Sequence, residues 1–83
     1  MDKVYVLKSY SSDPTFDKGI FAICTSLEKA IELLKMSYDE DVDYLEPDDH
    51  TINIDGINSN YDITKGKAWI TVELHAESTN EFI

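Results

Sequence analysis

The chain has 83 residues, 17 Asp and Glu against 7 Lys, no Arg, a net charge of −10 and one cysteine. One small domain of this length buries roughly 60–65% of the surface its unfolded chain exposes, so a deep, enclosed cavity is hard to build beside its core. The lack of Arg and the negative charge argue against direct partners made of nucleic acid or anionic membrane, and the lone Cys24 excludes an intrachain disulfide and a Cys-based zinc site.

Val4 to Leu7 is rich in β-branched and aromatic residues and predicts a first strand running to about Ser9. Residues 11–18 collect turn formers and one proline, so they form a loop. Gly19 to Cys24 is a second apolar run of strand length, expected to pair antiparallel with the first. It is also the longest apolar run in the chain, far short of a membrane span. The first residues offer no apolar stretch suited to a signal peptide, so a cytoplasmic location is expected.

Thr25-Ser26-Leu27-Glu28 fits a capping box with Thr25 as the cap. Leu27, Ala30, Ile31, Leu34 and Tyr38 then recur on one face of a helix. From Asp39 to Asp49 acid replaces periodicity, which reads as an acidic loop over 39–49. His50 to Asp55 alternates polar and apolar and predicts a strand ended by Gly56. Tyr61 to Thr64 and Ala68 to His75 form a hairpin turning at Gly66. In its second strand Ala68, Ile70, Val72 and Leu74 share one face, opposite Trp69, Thr71, Glu73 and His75. The fold class is therefore α+β: one domain over 1–83, an antiparallel sheet of four to five strands with one main helix on one face, in the order β-β-α-β-β-β.

One helix covers one sheet face, yet the first two strands are apolar on both. The second face needs Phe16, Phe82 and Ile83 folded back over it, or a second copy of the chain. The homodimer reading places Tyr5, Leu7, Phe21, Ile23 and Trp69 at the joint.

Val4-Tyr5-Val6-Leu7, the junction Gly19-Ile20-Phe21 into Thr25-Ser26-Leu27-Glu28-Lys29-Ala30, and the ending Val72-Glu73-Leu74 with Asn80-Glu81-Phe82-Ile83 resemble an uncharacterised family of short bacterial and phage domains. That resemblance covers about half the chain and implies the fold, with no activity to carry over. The acidic segment and the Tyr61–Lys67 hairpin depart from the pattern.

Residues 36–64 hold nine acids and no Lys, so this window carries −9 of the total −10. A solvated acidic loop that keeps a small protein soluble is one reading. The other is a docking surface for a basic protein. Asp39, Glu40, Asp41, Asp43, Glu46, Asp48 and Asp49 supply the charge, and Tyr38, Tyr44 and Tyr61 supply contact area. Asp39-x-Asp41-x-Asp43 matches the first calcium-loop ligand positions, but Tyr44 stands where that loop needs Gly and His50 where it needs Glu. No metal and no cofactor is therefore expected. Cys24 in an apolar strand reads as a small core residue rather than a nucleophile, and no phosphate-cradling glycine loop exists. The expected function is a non-enzymatic interaction protein that binds and inhibits a basic partner, such as a nucleic-acid-processing or defence enzyme, with mimicry of DNA charge as one form. A toxin-neutralising immunity protein has the same physics. The alternative from another class is a dimeric domain that binds or sequesters a small ligand near Trp69 and the tyrosines.

Overall fold

In the computed structural model, which describes residues 3–78, five strands and one long helix follow the order read from the sequence: β1 (Lys3–Ser11), β2 (Gly19–Cys24), α1 (Leu27–Leu45), β3 (Asp49–Asn53), a 3-10 turn (Gly56–Asn58), β4 (Asn60–Lys65) and β5 (Ala68–Ser78). The strands form one antiparallel sheet in the order β2-β1-β5-β4-β3, so β2 and β3 are its edges. The α+β class is as expected.

Alternation along β5 sets the core. Ile70, Val72 and Leu74 are buried, and their cross-strand partners Ile63, Tyr61 and Leu7 complete one apolar face. Helix α1 lies across β1, β2, β4 and β5 on that face, inserting Ala30 and Leu34. Cys24 is buried in the same cluster.

Helix α1 begins one residue later than the capping-box reading. Ser26, in extended conformation, is the N-cap, and its hydroxyl accepts from the Lys29 amide at 3.1 Å. With Ser26 as cap, the position that would reach back is Lys29, a donor, so the reciprocal half of a capping box cannot form. Ser26→Ala should lower stability by about 1 kcal/mol in urea unfolding, and Thr25→Ala by less than about 0.5 kcal/mol.

The larger correction lies at the other end. Residues 39–45 are helical, so the segment read as an acidic loop over 39–49 is mostly the last two turns of α1. Tyr38, Val42 and Leu45 continue the stripe and pack against the core, one apolar residue per turn. The helix stops at Glu46, which takes a left-handed conformation (φ 49°) and sends its amide back to the Val42 carbonyl. Pro47 follows, as is common after such a cap. Strand β3 is Asp49–Asn53 rather than 50–55, and Gly56 opens the 3-10 turn instead of closing the strand.

The dimer-face residues do not share a face. Tyr5 and Leu7 point to the helix side, where Leu7 is fully buried, because Leu7 stands opposite Leu74 and Ala22. A register shift between Leu7 and Lys8 sets Phe21 apart, and it lines a groove against α1. Ile23 (57% exposed) and Trp69 (40%) do lie on the opposite face, together with Val4, Val6, Tyr10 and Ile20. Phe16 packs on the core cluster, on the helix side, and does not cover the second face. Phe82 and Ile83 lie outside the described residues.

Candidate functional site

The residues expected to form one acidic surface divide into three groups, and helical geometry explains the division. Asp39, Glu40, Asp43 and Tyr44 are exposed on the outer side of α1, with Glu46 exposed at its end. At about 100° per residue, positions 39, 40 and 43 share one side, and Asp41 turns to the other. Among the described residues, no cation sits within ion-pair distance of Asp39, Glu40, Asp43 or Glu46. Among the described residues, the one ion pair on this helix, Lys29–Glu32 at 3.6 Å, lies toward its start. The last turn of α1 holds no basic residue. The outer face is thus a run of solvated carboxylates, without a paired cation among the described residues, bordered by Tyr44, which is 63% exposed and rests its ring against Phe16 at 4.8 Å between centroids.

The second group turns inward. Tyr61, expected at the surface, is fully buried, because β4 alternation places it with Ile63 beneath α1. Its hydroxyl donates to Asp41 Oδ2 at 2.5 Å and lies 2.7 Å from Ser37 Oγ. Tyr38 meets the edge of the Tyr61 ring at 5.3 Å, and its hydroxyl is 2.5 Å from His50 Nδ1 on β3. These groups fasten α1 to the sheet. Burial drives the Tyr61 hydroxyl well above the usual phenol range, and the Asp41 carboxylate beside it reinforces the rise. Tyr61 is therefore a proton donor at every physiological pH.

Burial also raises Asp41 above the ordinary 3.8, only partly offset by the hydrogen bond from Tyr61 and the charge of Lys18. The ionised carboxylate thus opposes folding at neutral pH. That cost is relieved as pH falls through the raised value, and below about 3.8 both states are protonated and the effect ends. Asp41→Asn keeps an acceptor for Tyr61 and removes the charge. The variant should match or exceed wild-type stability at pH 7 and lose that advantage near pH 4, as read by urea unfolding at both values.

The third group builds a turn. The Asp48 amide donates to the Thr64 carbonyl, and its carboxylate accepts from Gly66, whose φ of +58° makes the β4–β5 turn. Asp49 is exposed at the start of edge strand β3. Asp62 faces away from α1 and accepts from the Thr71 hydroxyl at 2.6 Å, so the acids of residues 36–64 do not make one patch.

The Asp39-x-Asp41-x-Asp43 spacing lies in a helix, which sends Asp41 away from its neighbours and leaves no loop to close round an ion. Among the described residues no three His, Cys, Asp or Glu gather as a metal site. The two histidines stand apart, His50 with Tyr38 and His75 Nε2 3.0 Å from Glu73 Oε1 on the sheet face opposite α1. Among the described residues, no helix is long and apolar enough to cross a membrane.

Among the hollows that flank α1, two are sizeable. One, of about 250 Å³, is lined by Phe16, Tyr44, Leu45 and Trp69. The other, of about 370 Å³, runs between the helix and β2 and includes Phe21, Met36, Ser37, Glu40 and Asp41. Sequence reasoning missed this second groove. Phe21 reads as one more strand residue until the register shift turns it toward α1. No protein-family model, curated protein or solved structure matches this chain.

Proposed function

We propose that the chain is a small cytoplasmic interaction protein that binds a basic protein surface through the outer face of α1 and acts by occupancy rather than catalysis. The concrete form is an inhibitor that fills the cationic groove of a nucleic-acid-processing or defence enzyme. An immunity protein against a basic toxin has the same physics. The observation that carries the reading is the absence, among the described residues, of a cation paired to Asp39, Glu40, Asp43 or Glu46. Acids at a helix C-terminus meet the negative end of its dipole and lower helix stability. A sequence selected for folding alone would place Lys there. A rigid helix also presents its charges in fixed register, which serves orientation and association rate.

The test is capture from lysate on immobilised protein at about 50 mM and about 500 mM salt. A basic protein retained at low salt and released at high salt, with its nucleic-acid binding blocked while captured, is the expected result. Retention indifferent to salt would overturn the reading. The ligand-binding alternative places its site at Trp69 and the tyrosines, where the cleft lined by Phe16, Tyr44 and Trp69 holds only about 250 Å³, less than the groove between α1 and β2. The acidic helix is the better supported site.

A further inference from the structure

The groove between α1 and β2 combines three features that a solvated acidic helix lacks. The first is a fixed carboxylate: Tyr61 holds Asp41 through Oδ2, leaving Oδ1 without a partner among the described residues, and Asp41 lines the groove. The second is an apolar wall. Phe21 and Met36, 37% and 51% exposed, and the half-buried Leu33 line the same 370 Å³ space, with Glu40 beside Asp41. The third is a cation already drawn to this place. Lys18 lines the groove, and its ammonium stands 5.8 Å over the Phe16 ring without closing an ion pair with Asp41.

We infer that this groove seats one lysine or arginine side chain of the basic partner, its aliphatic stem on Phe21 and Met36 and its cationic head at Asp41 Oδ1. The inference rests on the proposed function and adds the specific anchor to it. A carboxylate pinned on one oxygen and free on the other is preorganised for a donor, and flanking apolar surface favours a long, amphipathic side chain over a bare ion. The opposing charge makes a cation the fitting occupant. Lys18 is then a resident competitor, which the incoming side chain displaces from its place over Phe16.

The probe is the peptide acetyl-Gly-Arg-Gly-amide, titrated into the labelled protein and followed by NMR, with the citrulline peptide as its uncharged counterpart. Pairs of variants with matched net charge separate the groove from general attraction. Asp41→Asn should weaken arginine-peptide binding at least about fivefold relative to Asp39→Asn. Lys18→Met should tighten it relative to Lys35→Met, a lysine that does not line the groove. Chemical-shift changes should centre on Phe21, Met36 and Asp41. Equal binding by Asp41→Asn and Asp39→Asn overturns the inference, as does equal binding of the citrulline peptide. Shifts confined to Asp39 and Asp43 also overturn it while leaving the acidic-face reading standing. Conversely, arginine seated in the groove while lysate capture proves indifferent to salt would uphold the groove and reject that reading. Self-association that places a second copy's lysine in the groove would overturn the partner assignment.

Discussion

Tyr61→Ala is expected to remove about 3–5 kcal/mol of stability in urea unfolding, enough to leave a domain of this size largely unfolded at 37 °C. Tyr61 is the largest fully buried side chain, and its hydroxyl joins β4 to Ser37 and Asp41 of α1. Truncation opens a cavity under the helix and leaves the half-buried Asp41 carboxylate without its donor. The two effects separate in Tyr61→Phe, which keeps the ring and loses the hydroxyl. That variant should cost about 1–3 kcal/mol, a drop in melting temperature of some 4–8 °C for each kcal/mol. Combining Tyr61→Phe with Asp41→Asn should recover part of the loss, because the amide carries no charge to desolvate. A Tyr61→Phe variant as stable as wild type would show that the network contributes nothing.

A second variant should move stability in the opposite direction. Asp43 in the last turn of α1 and Glu46 at its cap stand where the helix dipole disfavours negative charge, with no basic residue in that turn. Relief of the dipole clash is worth about 0.3–1 kcal/mol per residue at low ionic strength, and relief of the Glu40–Asp43 and Asp43–Glu46 repulsion at i, i+3 adds to it. Asp43→Asn with Glu46→Asn should therefore raise stability by about 0.6–2 kcal/mol at low salt from the dipole alone, and by more with the repulsion relieved. Asn also tolerates the left-handed conformation of residue 46. The gain should shrink at high salt, since the interactions are exposed and screened. A more stable protein that binds its partner less well is the signature of acids retained for function.

The core was legible in the sequence because its signals are local and periodic. Alternation through Ile70, Val72 and Leu74, the Leu27–Leu34 stripe and the Gly66 turn each name their own structure, and together they order the elements. The length of α1 is obscured because Asp41 occupies a turn's inward side, where the long-range bond from Tyr61, 20 residues away, and the charge of Lys18 partly offset the cost of burying a carboxylate. Tyr38, Val42 and Leu45 and the stop at Pro47 were signals enough for a longer helix, but nine acids in 36–64 masked them. The site was half legible for the same reason. Sequence shows how much charge a segment carries, while the helix turns Asp39, Glu40 and Asp43 to solvent and Asp41 toward the groove, and β4 alternation buries Tyr61. The groove at Phe21 was illegible, since it depends on a one-residue shift in strand register.

In the proposed function, position on α1 rather than total charge directs binding. Its most direct test compares two triple variants of equal net charge against the captured partner by calorimetry at low salt. One carries Asp39→Asn, Glu40→Gln and Asp43→Asn. The other carries Glu28→Gln at the opposite end of α1, Asp55→Asn before the 3-10 turn and Glu77→Gln on β5. The first should lose about tenfold or more in affinity with its fold intact, and the second should stay within about twofold of wild type. Equal losses in the two variants would contradict the account, since binding would then follow net charge alone.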